Sequence, residues 1–181
     1  MKSVLTLTVA LAITLCAQHV LAASNSSVVS LDEVTKLVGN HEAGMRAAES
    51  ALAPIRSQSD LDEYLSMHSI SPFGALSKRS LQLFVDSLVF TEHGLASYRT
   101  AEIESELTPR QAYAILSLFG VQQSLAQLRF HLGTPDELEA LRNIGPIIDD
   151  DHPEYRCQPP ATCITAMNTI CIGQNCKGGN P

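Results

Sequence analysis

Cys157, Cys163, Cys171 and Cys176 crowd into the last 25 residues, behind a body that holds no cysteine between Cys16 and Cys157. A segment that short cannot bury a core of its own, so two cross-links or a metal must hold it. The fifth cysteine, Cys16, lies in an apolar N-terminal run with the grammar of an export signal. Lys2 supplies the charged start, Val4 to Leu15 the apolar stretch, and Val20-Leu21-Ala22 a small-residue cleavage site. Cleavage after Ala22 removes Cys16 and leaves an even set of four, which reads as two disulfides in an oxidising compartment. Residues 1–22 are therefore expected to be a signal peptide, and the mature chain a secreted or periplasmic protein.

The spacing C-x5-C-x7-C-x4-C lacks the close cysteine pairs that aim two thiolates at one zinc ion, so no metal is expected there. Three disulfide pairings remain open. Asp149-Asp150-Asp151-His152 neither alternates its acids nor carries the turn glycine of a calcium loop, and reads as a solvated linker.

Helix grammar runs through the rest. Ser30-Leu31-Asp32-Glu33 is a capping box, followed by apolar positions at Leu31, Val34, Leu37 and Val38. Gly39-Asn40 is expected to break that helix before a second one over 41–53. Asp60-Leu61-Asp62-Glu63 opens another helix. Ser77 caps one whose apolar face runs Leu81, Phe84, Val85, Leu88 and Val89. Thr108-Pro109-Arg110-Gln111 combines a cap, a proline in the first turn and a closing Gln. Its stripe extends from Ala112 through Phe119 to Leu128 across Gly120. Thr134-Pro135-Asp136-Glu137 repeats the grammar. No alternating, β-branched run competes, so the expected fold is all-α: five to seven short helices with an irregular, disulfide-stapled tail. The expected division is 23–146 helical domain, 147–156 acidic linker and 157–181 cysteine-rich segment.

The formal net charge of −7 gives nucleic acid no basic face to bind, and the mature chain has no apolar stretch long enough for a stable membrane span. His41, His68, His93 and His131 are scattered, with no metalloprotease pair. No nucleophile elbow, phosphate-binding glycine loop or dinucleotide fingerprint is present. No catalytic residue and no cofactor is expected. An unknown protein or cell-surface target is the expected partner. Ile164, Met167, Ile170 and Ile172 either form an apolar target-contact surface or pack onto the helical body.

Ser87-Leu88-Val89-Phe90, Gly94-Leu95, Glu106-Leu107-Thr108 and the run Tyr113 to Gly120 resemble the signature of the bacteriocin fulvocin C-related proteins. The resemblance covers roughly the stretch from Leu76 to Gln122. It implies a bacterial, secreted product of bacteriocin character, with a helical body and a cysteine-bearing C-terminus. Two functions follow as expectations. One is a bacteriocin-like protein whose stapled tail acts on competing cells. The other is a non-toxic extracellular or periplasmic binding module whose cysteine tail is a structural clip.

Overall fold

A computed structural model describes residues 31–68, 70–142, 150–158 and 161–177. The expected signal peptide and the cap residue Ser30 lie outside the described residues, as do 143–149 of the chain leading to the cysteine segment. Two units are distinguished, Met1–Asn40 and His41–Pro181. The described part of the first is the opening of helix α1 (Leu31–Leu52), with Lys36 to Asn40 exposed. Gly39-Asn40 does not break it: both residues are helical.

The second unit begins with the rest of α1 and continues with α2 (Gln58–Met67), a 3₁₀ turn (Pro72–Ala75) and α3 (Lys78–Asp86). Strands β1 (Val89–Thr91) and β2 (Gly94–Arg99) follow, then α4 (Ala101–Glu106) and α5 (Pro109–Ser117). A second 3₁₀ turn (Gln122–Gln127), α6 (Pro135–Arg142), β3 (Asp151–Gln158) and β4 (Thr162–Ile172) complete it. The starts expected at Ser77, Thr108 and Thr134 are present, whereas the helix expected to open at Asp60 begins at Gln58 behind the cap Ser57. Ser77 Oγ accepts from the Ser80 amide at 3.2 Å. Thr108 and Gln111 exchange their bonds as a capping box, and so do Thr134 and Glu137.

The all-α expectation is overturned by a four-stranded antiparallel sheet in the order β1-β2-β4-β3. Its strands escape a periodicity search for physical reasons. Gly94, at φ +108°, closes a tight β1–β2 hairpin where the apolar run of α3 was expected to continue through Val89. From Gly94 to Tyr98, β2 is buried at every position, so it shows no alternation. Residues 151–156, expected in the acidic linker, form most of β3.

Helices and sheet share one core. Phe73, Phe84, Phe119 and Tyr98 are fully buried, with Phe84 set 6.0–6.5 Å, ring to ring, from each of the others. Ile170 and Ile172 of β4 enter the same cluster. Tyr98 Oη shares a 2.7 Å hydrogen bond with Ser124 Oγ, and burial pushes its hydroxyl pKa well up. Gly120 ends the run after α5 at φ +68°. A Cβ there would lie 2.7 Å from the Glu49 carbonyl oxygen and the Ser50 Cα of α1, so only glycine lets these backbones meet. The helix expected to run through Gly120 stops at Ser117 for that reason.

Candidate functional site

Cys163 and Cys171 both belong to β4, eight residues apart. An extended strand would separate them by roughly 26 Å, yet their Cα atoms are 5.9 Å apart and their sulfurs are bonded. The strand therefore doubles back. The corner is visible in the register: Pro153 pairs with Ile170 and Tyr155 with Thr165, so Ala166 to Thr169 is looped out against the single residue Glu154. Glu154 and Asn168 adopt φ +64° and +57°. The Glu154 carboxylate accepts from the Asn168 amide at 2.9 Å, and Thr169 Oγ1 donates to the Tyr155 and Ala166 carbonyls. The Asn168 carbonyl takes the Thr100 amide at 2.8 Å, tying the corner to the start of α4.

Beyond the corner, the arm formed by 155–158 and 162–165 is pinned at two points. Cys163 bonds Cys171 of the inner strand, and Cys157 bonds Cys176 just after it. Cys157, Cys171 and Cys176 are buried around Ala96 of β2, with Val89 and Cys163 packed against them. Ala96 is the extra residue of a bulge, since Val89 faces Ser97 while Phe90 faces Leu95. Leu95 and Tyr98 join the helical core while Ala96 joins the sulfur cluster.

Beside this cluster, Asp151 at the start of β3 is held by Arg46 of α1. Nη1 donates to Oδ1 at 3.0 Å and Nη2 to Oδ2, both side chains being almost wholly buried. Burial pushes the Asp151 carboxyl up and the guanidinium opposes that rise. The fork geometry satisfies both carboxylate oxygens, so loss of either partner strands a buried charge. Neighbouring Asp150 is held below its ordinary range by the Lys177 ammonium at 2.7 Å.

A solvent-open cleft of about 370 Å³ lies where α1, the β1–β2 turn and the turn after β4 meet. Its walls are joined by hydrogen bonds. Ser50 Oγ donates to the His93 carbonyl at 3.2 Å, Thr91 Oγ1 to the Asn175 carbonyl at 2.6 Å, and Asn175 Nδ2 to the Leu95 carbonyl at 2.8 Å. Arg56, His93 and Lys177 line it with Glu92, Lys177 being paired with Asp150 and His93 Nε2 standing 3.6 Å from the Glu92 carboxylate. Ser50, His93 and Glu92 are near neighbours, but the serine hydroxyl is spent on the His93 backbone and not on its imidazole. That arrangement does not generate a nucleophile.

The four cysteines expected to pair do so, as Cys157–Cys176 and Cys163–Cys171. The four apolar tail residues separate. Ile170 and Ile172 are core, Ile164 is half-buried, and Met167 stands 80% exposed at the corner. Of the residues expected in a solvated linker, Asp150 and Asp151 are ion-paired. His152 packs against Tyr155 at 6.0 Å, and Asp149 lies outside the described residues. Arg46, Ser50 and Arg56 were not singled out by sequence. Arg46 and Ser50 share a helix face at i, i+4, but their partners lie 105 and 43 residues away. No family model, curated protein or solved structure matches this chain.

Proposed function

We propose that this chain is an exported interaction module, not a catalyst. Its cysteine segment would be a structural clip, and the Arg56–His93–Lys177 cleft the contact point for an anionic group on its ligand. The observation that carries this reading is the position of β4. It lies between β2 and β3 and contributes Ile170 and Ile172 to the shared core, so a released tail would take an inner strand with it. Two disulfides fit an oxidising compartment. Among the described residues no helix is long and apolar enough to cross a membrane. The bacteriocin-like alternative, implied by the resemblance to fulvocin C-related proteins, draws on Met167 as an exposed apolar contact. It requires only that the tail act while still attached.

Non-reducing mass spectrometry of the exported protein tests the clip. One species carrying the tail and both disulfides is expected, and a free fragment beginning near Cys157 overturns the reading. Thermal-shift titration with di- and tricarboxylates and phosphate esters tests the cleft. Stabilisation that disappears in Arg56→Ala/Lys177→Ala is the expected result. Equal shifts in the variant, or none in either protein, reject the cleft as the contact point.

A further inference from the structure

The two disulfides are close enough to exchange partners. The sulfurs of Cys157, Cys171 and Cys176 all lie within 4.8 Å of one another, although Cys171 is bonded to Cys163 and not to either of them. Three of the four cysteines are buried, and Cys163 alone is partly exposed. Cys163 also sits directly opposite Cys157 in the β3–β4 register. A way in, a neighbour in reach and a way out are thus built into one cluster.

We propose that Cys163 is a thiol-modification site, and that a low-molecular-weight thiol entering there drives a disulfide relay through Cys171 to the buried Cys157–Cys176 bond. In the first step the external thiolate attacks Cys163 Sγ. A mixed disulfide forms, the Cys163–Cys171 bond breaks, and its electron pair leaves on Cys171. The Cys171 thiolate then attacks Cys176 Sγ, forming Cys171–Cys176 and expelling Cys157 as thiolate. Finally Cys157 attacks Cys163 Sγ across the hairpin, forming Cys157–Cys163 and returning the external thiol. Nothing is oxidised or reduced overall, and the thiol acts catalytically. The product releases the pinned arm from the inner strand. Both original bonds tie the arm to residues 171–176, and both new ones lie within their own segment.

Met167 makes the isomer directly readable, because it is the lone methionine between Cys163 and Cys171. Cyanogen bromide cleavage there leaves the halves joined in the native pairing and separates them in the exchanged one. The full-length folded protein, incubated with a catalytic amount of glutathione, quenched in acid and cleaved without reduction, is expected to release the 168–181 fragment. Protein without thiol should keep the halves joined. Failure to release the fragment overturns the relay. A second measurement uses Cys163→Ser, which leaves Cys171 unpaired from the outset. After acid quench, denaturation and maleimide labelling, the free thiol is expected on Cys157 as well as Cys171. Label confined to Cys171 equally overturns the proposal.

Discussion

The two faces of the sheet are closed by different means. One is covered by helices and filled with large side chains, Tyr98, Ile170 and Ile172 packing among Phe73, Phe84 and Phe119. The other is covered at its centre by the folded-over end of β3 and β4, around small residues and sulfur: Ala96, Cys157, Cys171 and Cys176. The first face gains its stability from buried area, at roughly 25 cal/mol per Å². The second has little area to bury and depends on cross-links that restrict the unfolded chain. A hairpin arm too small to pack is thereby made part of the domain.

Substitutions that strike one face at a time sharpen the contrast. Phe84→Ala, on the helical face, is expected to cost about 3–5 kcal/mol in denaturant unfolding. A loss under about 1 kcal/mol would mean the aromatic cluster is not the main core. Arg46→Met strands the buried Asp151 carboxylate and should cost about 3–5 kcal/mol, most of it recovered by the added change Asp151→Leu. Failure of the second change to restore stability would show that the helix contact, not the ion pair, matters. On the sulfur face, Cys157→Ser/Cys176→Ser should cost about 3 kcal/mol and Cys163→Ser/Cys171→Ser somewhat less, following loop lengths of 19 and 8 residues. Gly120→Ala is expected to lose about 1–3 kcal/mol through its left-handed backbone and its contact with Glu49, read as a lowered melting temperature.

The smallest effect is that of pH. Asp60, Glu106 and Asp150 are held below their ordinary range, chiefly by hydrogen bonds from the Arg56 amide, the Ser80 hydroxyl and Lys177 respectively. Their contribution is full above the usual carboxylate range and is lost as pH falls through the lowered values. Asp151 runs the other way, since its raised pKa favours the folded state on the acid side. A modest net loss of stability below about pH 4 is therefore expected. It should become steeper when Asp151 is replaced together with Arg46 by apolar residues.

Local chemistry was legible in the sequence, and distant pairing was not. Ser77, Thr108 and Thr134 announce their helices because a cap and its partner lie three residues apart. The four cysteines announce disulfides by crowding, but their pairing depends on a corner that no glycine marks. Glu154 and Asn168 take the left-handed conformation there instead. The sheet was hidden because β2 is buried on both faces and β4 changes direction midway, which erases the two-residue period. Arg46 carried no local signal, because its partner Asp151 stands 105 positions away. Gly120 looked like a weak spot within a helix, and is the point where α1 touches the turn after α5.

The central claim is that the cysteine segment is part of the domain and not an appendage. Amide hydrogen exchange on the oxidised full-length chain tests it most directly. The account predicts that the buried amides of the β2–β4 pair, at Ser97, Tyr98, Ile170 and Cys171, exchange as slowly as those of α3 and α5. Rapid exchange throughout 151–177 beside a protected helical body would contradict it.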